Sequence, residues 1–187
     1  MKELLLNETS RPSQFIFKQL LKGLESSVRY RFSDPKKLVG AAGIQTGQTV
    51  LEIGCGSGFF TPALAEVVGE YGLVYSVDLH PVSVEATSRR MRSLGKQNVR
   101  VSQADAHHTD FPEALFDAVI VYGVVPAPFI SEPRLSQELY RLLKPGGIVA
   151  VWTLVPFWSP QTLMQAAPFT LCAQQQRVHR LQKPLSE

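Results

Sequence analysis

From Gln48 onward the chain alternates between short apolar runs and helical patterns, and this alternation restricts the fold more than any other feature. Strands are expected at 49–53, 73–78, 99–103, 117–122 and 148–154. Helices are expected near 59–69, 82–94 and 133–143, with a loop and a short helix after the 99–103 strand. A strand followed by a helix and another strand gives parallel pairing, because the helix carries the chain back across the sheet. Residues 117–122 read Asp-Ala-Val-Ile-Val-Tyr, nearly all apolar, as suits a strand covered on both faces. The tail departs from the pattern. A helix over 160–166 precedes two short runs, 169–173 and 178–181, which flank the polar turn Gln174-Gln175-Gln176-Arg177 and read as an antiparallel hairpin.

The first strand runs into a glycine-rich turn, Val50-Leu51-Glu52-Ile53-Gly54-Cys55-Gly56-Ser57-Gly58. Glycine tolerates positive φ and has no side chain in the way, so backbone N–H groups in such a turn approach a ligand closely. Twenty residues beyond Gly58, at the end of the next apolar run, stands Asp78. A carboxylate there can accept both hydroxyls of a ribose. Turn and carboxylate together describe a pocket for a nucleoside-bearing cofactor. The spacing also separates two kinds of cofactor. Dinucleotide sites use G-x-G-x-x-G, whose N–H groups and helix dipole receive a pyrophosphate. Here the glycines are Gly54, Gly56 and Gly58, and Phe59 stands where the third glycine of that pattern would fall. Glu52 beside the turn suits a cationic ligand and repels a phosphate.

A chain of 187 residues is one domain's worth and long enough for a full core. The net charge of +3 is too small to argue for a nucleic-acid partner by itself, and no block of like charges suggests one. Two cysteines, Cys55 and Cys172, make neither a disulfide framework nor a zinc site, so no metal is expected. Residues 1–10 lack the pattern of a signal peptide, and no run reaches the roughly 18 apolar residues of a membrane span. These readings place the protein in the cytoplasm. Ahead of the alternating region, residues 13–26 are expected to form an amphipathic helix whose apolar face carries Phe15, Ile16, Leu20, Leu21 and Leu24. That face is expected to pack on the domain or on a second subunit, giving a homodimer through this helix; the alternatives are a lid over the active site or a membrane-surface helix. Asp34 caps a second helix with Pro35 at its first position, running to about Ala42. Residues 1–33 are therefore read as a helical extension and 34–187 as the domain.

Five segments in order resemble the signatures of class I S-adenosylmethionine-dependent methyltransferases: LEIGCGSGFFT at 51–61, VDLHP at 77–81, QADAHH at 103–108, FDAVIVYGVV at 116–125 and LLKPGGIVAVW at 142–152. The resemblance implies an α/β fold, a Rossmann-like doubly wound and mostly parallel sheet of seven strands, the last antiparallel, with helices on both faces. It implies S-adenosylmethionine as cofactor. Gly54, Cys55, Gly56 and Gly58 would then shape the loop around the methionine and ribose portions, with Glu52 toward the cationic end. Asp78 would take the ribose hydroxyls and Leu79 one adenine face. Asp105 would take the adenine amino group and the Ala106 N–H a ring nitrogen, and backbone carbonyls at Tyr122 and Gly123 the cofactor's amino group.

The same resemblance implies in-line methyl transfer, where the protein holds donor and acceptor collinear and needs a base only for a poorly acidic acceptor. His107, His108 and Tyr122 are the candidates for such a base. The two histidines read equally as solvated or capping residues, and Tyr122 as a core side chain. Loops 124–130 and 155–160 are apolar and proline-stiffened and should flank a small, partly apolar acceptor. No N/D-P-P-Y/F tetrapeptide follows strand 117–122, which weighs further against nucleic-acid substrates. The alternatives are a methyltransferase-like binding or regulatory subunit without turnover, and an NAD(P)-dependent oxidoreductase.

Overall fold

A computed structural model describes residues 33–185 of the chain, so the helix expected over 13–26 lies outside the described residues. The first element, α1 (Pro35–Ala41), starts where the sequence indicates. Asp34 Oδ1 accepts from the N–H of Lys36 at 3.0 Å and of Lys37 at 3.4 Å, satisfying two donors that a helix start leaves open. Strands and helices then alternate: β1 (Thr49–Ile53), α2 (Thr61–Val68), β2 (Leu73–Asp78), α3 (Pro81–Ser93), β3 (Val99–Gln103), β4 (Phe116–Tyr122), α4 (Glu132–Leu142), β5 (Leu143–Trp152), α5 (Gln161–Ala166), β6 (Thr170–Gln175) and β7 (Val178–Gln182).

The seven strands form one sheet in the order β3-β2-β1-β4-β5-β7-β6. The pairs β1–β2, β2–β3, β1–β4 and β4–β5 are parallel, and β7 lies antiparallel between β5 and β6. This is the doubly wound, Rossmann-like arrangement with its last strand reversed. The strand order turns back between β1 and β4. A crevice opens at such a point beyond the strands' C-terminal ends, which is where an open α/β sheet binds its ligand.

The period of two along each strand sorts side chains between two cores. In β4, Ala118, Ile120 and Tyr122 join Val39 of α1, Phe60 just before α2 and Leu64 of α2, whereas Val119 and Val121 join Leu135, Leu139 and Leu142 of α4 and Leu163 of α5. Each fully buried aliphatic side chain of this kind contributes about 1.5–3 kcal/mol, so neither helical layer can be removed without losing a core. At the end of α4, Lys183 Nζ donates to the carbonyls of Tyr140 and Leu143, both at 2.8 Å, and lies over the Tyr140 ring. A cation from the last strand thus satisfies carbonyls that the helix leaves open.

Two expectations change. Strand β5 starts at Leu143 rather than 148. Phe116 pairs with Leu143 and Ala118 with Ile148, so the Pro145-Gly146-Gly147 segment bulges out of a ladder that continues on both sides of it. No helix forms after β3. Asp105 accepts the His107 N–H on its side chain at 2.9 Å and bridges to His108, and a local bond of this kind competes with helical pairing.

Candidate active site

The turn after β1 is fixed from three sides. The N–H groups of Gly54 and Cys55 both donate to the Val77 carbonyl, at 2.8 and 3.0 Å, holding the turn against the end of β2. Gly56 donates its N–H to Asp78 Oδ2 at 2.9 Å, and its carbonyl accepts from Thr87 Oγ1 of α3 at 2.9 Å. From the β4 side, Val124 Cγ2 would lie 2.5 Å from a side-chain carbon placed on Gly54, whose φ is +75°. Only glycine fits that position, for space and for backbone conformation alike.

Asp78 accepts one N–H on each oxygen, from Gly56 on Oδ2 and from His80 on Oδ1, the latter also at 2.9 Å. Burial raises its pKa, against the lowering effect of those two bonds. A carboxylate has about four lone-pair sites, so acceptor capacity remains for a ligand hydroxyl. Glu52, one strand inward, is buried. Its Oε2 accepts from Thr61 Oγ1 and Ser76 Oγ, both at 2.7 Å. Burial pushes its pKa up to about 7, with the two hydroxyls pulling the other way and Asp78 adding to the rise. Cys55 is buried as well, and burial followed by the charges of Glu52 and Asp78 drives its thiol pKa strongly upward, so it is no nucleophile.

The register pairs Asp78 with Gln103, and Ala104 donates its N–H to the Asp78 carbonyl. Leu79 and Asp105 therefore emerge next to each other at the C-terminal ends of β2 and β3. Both are open to a ligand: Leu79 is 37% exposed and the Asp105 side chain 53%. Asp105 Oδ1 accepts from both the N–H and Nδ1 of His107, while Oδ2 makes no hydrogen bond among the described residues. Ala106 is half-buried in the same turn.

The three candidate bases fare differently. The Tyr122 ring is buried against Phe60 and Trp152, and its hydroxyl donates to the Leu38 carbonyl at 2.8 Å. Burial raises its pKa, so the phenol is a core group joining β4 to α1. Gly123 next to it donates its N–H to the Trp152 carbonyl at 2.8 Å, which leaves its own carbonyl out of that bond. His107 has both ring nitrogens in use, Nδ1 toward Asp105 and Nε2 accepting the Ser131 N–H at 3.0 Å. Only His108 is exposed with a ring that makes no hydrogen bond among the described residues.

Sequence reasoning did not find the partners of His107 and Glu132. Glu132 Oε1 accepts from Trp158 Nε1 at 3.0 Å, linking the first turn of α4 to the β5–α5 loop. These bonds span 24 and 26 residues, and no local pattern announces them. Around the crevice the loops expose Phe129, Leu154, Val155 and Phe157. No group of metal-ligating side chains occurs among the described residues.

A model of the methyltransferase domain matches residues 50–147, just over half of the chain. The chain belongs to the class I S-adenosylmethionine-dependent methyltransferases. The protein-L-isoaspartate O-methyltransferase of Ignicoccus hospitalis is 34% identical over 114 residues, 61% of this chain and 51% of that protein. The ubiquinone/menaquinone biosynthesis C-methyltransferase UbiE of Haemophilus ducreyi is 31% identical over 115 residues, 60% of this chain and 44% of that protein. The chain thus spans about half the length of the curated relatives it matches. A methyltransferase structure from Aquifex aeolicus shares the fold at a TM-score of 0.74 and 22% identity, covering 88% of this chain and 97% of that one. The cofactor of the family, S-adenosylmethionine, suits the residues present. The turn at Gly54 leaves no room for a side chain, and the Asp105 Oδ2 and Leu79 surfaces lie open beside Asp78.

Proposed function

We propose that the protein is a methyltransferase that transfers a methyl group to a small acceptor with an apolar ring or chain. The observation that carries the acceptor class is the apolar character of the loops after β4 and β5: Val124 meets the Gly54 turn, and Phe129, Leu154, Val155 and Phe157 are exposed. Apolar loops beyond the C-terminal strand ends favour an acceptor that loses water as it binds. The names of the quinone C-methyltransferase relatives support the same class, since a quinone ring is apolar and carries a nucleophilic carbon once reduced.

S-adenosylmethionine, when bound, supplies a methyl group activated by its sulfonium. The chain's own residues then bind, orient and exclude water. In this reading Gly54, Cys55, Gly56 and Gly58 shape the bed for the methionine and ribose portions, and Asp78 takes the ribose hydroxyls. Leu79 covers one adenine face, and Asp105 Oδ2 and the Ala106 N–H take the adenine edge. The carbonyls of Tyr122 and Gly123 receive the amino group. Glu52 faces the cationic end through the turn, its pKa raised by burial against the pull of the Thr61 and Ser76 hydroxyls. With Tyr122, His107 and Cys55 committed elsewhere, His108 is the one candidate base left, and an acceptor that is already ionised or has a free lone pair needs none. Positioning of the two reactants then supplies the rate, and in favourable cases removes about 7–11 kcal/mol of barrier. Residues 34–187 form this domain, with 1–33 as its extension.

The test is incubation of the protein with deuteromethyl S-adenosylmethionine and separate apolar and polar metabolite extracts, read by mass spectrometry. Label in reduced quinones or similar ring compounds is the expected result. Label in isoaspartyl peptides or nucleic acid alone overturns the acceptor class. No label, with S-adenosylhomocysteine still bound, returns the binding-subunit reading.

A further inference from the structure

We propose that His107 is a positioning residue that ties the adenine-side loop to the acceptor-side loops, so that a nucleoside bound at the first sets the position of the second. The inference rests on the cofactor reading of Asp105 given above. Its ground is a continuous run of hydrogen bonds across three loops. Asp105 Oδ1, at the end of β3, accepts from the His107 N–H at 2.9 Å and from Nδ1 at 2.8 Å. A backbone N–H can only donate, so the 3.0 Å contact from Ser131 makes Nε2 the acceptor and leaves the ring proton on Nδ1. The imidazole is thereby held in one orientation between the carboxylate and the first residue before α4. The next residue, Glu132, accepts from Trp158 Nε1, and the Trp158 ring meets the His179 ring edge-on at 5.7 Å. Two side chains therefore join the loops that follow β3, β4 and β5, which are the loops that surround the crevice.

A second anchor makes His107 separable from the stability of the loop. Glu138 of α4 accepts from the Thr109 N–H at 2.8 Å and from Thr109 Oγ1 at 2.7 Å. Arg141 donates to the carbonyls of Phe111 and Thr109 at 2.8 and 3.1 Å. The far part of the adenine-side loop thus stays on α4 when the His107 bond is lost. The near part, which carries Asp105, is held to α4 through the imidazole. Movement of Asp105 onto a ligand pulls on Ser131 and, one residue further, on Glu132 and Trp158. By linkage, fixing Trp158 favours nucleoside binding to the same degree.

The experiment uses the full chain labelled with 5-fluorotryptophan. The protein has two tryptophans, Trp152 and Trp158, and Trp158→Phe assigns their fluorine resonances. S-adenosylhomocysteine is the probe, with its binding followed in parallel by calorimetry. In the unaltered protein, saturation shifts the Trp158 resonance. His107→Asn keeps an amide donor at the position of Nδ1 and falls short of Ser131. It still binds S-adenosylhomocysteine, with Kd raised about two- to tenfold, and the Trp158 shift disappears. His107→Gln places an amide oxygen near the position of Nε2 and restores the shift. A merely structural histidine would weaken binding and stability without this split between Asn and Gln. The proposal is overturned if the unaltered protein binds the probe without a Trp158 shift, or if His107→Asn retains it. If the unaltered protein does not bind the probe at all, the cofactor reading itself falls and this proposal with it.

Discussion

Asp78 and Tyr122 are both polar, both at the crevice ends of their strands, and put to opposite uses. Asp78 keeps one oxygen on Gly56 and one on His80 and still has lone pairs to offer. Asp78→Ala is expected to raise the Kd for S-adenosylhomocysteine about 10- to 100-fold, the range for a hydrogen bond to a charged group, as read by calorimetry. Tyr122 is turned into the core, and its hydroxyl answers the Leu38 carbonyl. Tyr122→Phe leaves that carbonyl without its donor and should cost about 1–3 kcal/mol of stability in urea unfolding. A phenol acting as a base would instead lower turnover while leaving unfolding unchanged. Sequence made the difference between these two residues only half visible. Asp78 ends an apolar run, where an acid has no core role to play, so its place at the crevice end of β2 was readable. Tyr122 also ends an apolar run, but a tyrosine is equally at home buried, and which way it turns depends on Phe60, Trp152 and Leu38 from other elements.

At the level of elements, the β1 turn and the β4–α4 loop meet at the crevice through Gly54 and Val124. Alanine at Gly54 meets Val124 Cγ2 at 2.5 Å and must hold φ near +75°. Left-handed strain of about 1–2 kcal/mol and overpacking of about 1–3 kcal/mol add to an expected loss of about 2–5 kcal/mol for Gly54→Ala. Adding Val124→Ala removes the collision and not the strain. The double variant should therefore recover roughly half of the loss, and a double-mutant cycle from urea melts measures the coupling. A cycle with no coupling would mean that the two loops move independently. Strands β1, β2 and β3 were legible end to end, because β1 and β2 are mostly apolar runs, β3 alternates Val99 and Val101 with polar residues, and each is closed by a polar or glycine-rich turn. The start of β5 was not. Pro145-Gly146-Gly147 has the composition of a turn between elements, yet Leu143 already pairs with Phe116, so a bulge and a loop share one local signature. The turn after β3 hid for a similar reason. An aspartate two residues before a backbone N–H can cap a helix or replace it, and the turn is held by bonds to Ser131, just before α4, and to Glu138 on α4.

For the whole molecule, two buried glutamates give stability opposite slopes on the two sides of pH 4.5. Burial lifts Glu52 from its ordinary 4.5 to about 7. Below pH 4.5 it is protonated in both the folded and the unfolded chain and costs nothing. Between 4.5 and 7 only the folded chain keeps the proton, so stability falls as pH rises, by about 3 kcal/mol in all at 1.36 kcal/mol per pKa unit. Glu138 is the reverse case. Burial would raise its pKa, but the bonds from Arg141 and Thr109 outweigh burial and hold it down to about 2. Its contribution is complete above 4.5 and is lost as pH falls toward 2, again about 3 kcal/mol. His179 opposes Glu52 in part, since burial lowers its pKa and so favours folding as pH rises toward 6.5. The slopes are therefore best read as differences between variants. Glu52→Gln keeps an oxygen for Thr61 and Ser76 and cannot ionise. Relative to the unaltered protein it should gain about 3 kcal/mol between pH 4.5 and 7 and nothing below 4.5. Glu138→Gln should be about 3 kcal/mol less stable than the unaltered protein above pH 4.5, with the gap closing toward pH 2. Urea unfolding at half-unit steps of pH measures both curves. A flat Glu52→Gln difference would show that water reaches the carboxylate, and the reading of a dry acidic side chain behind the glycine turn would be withdrawn.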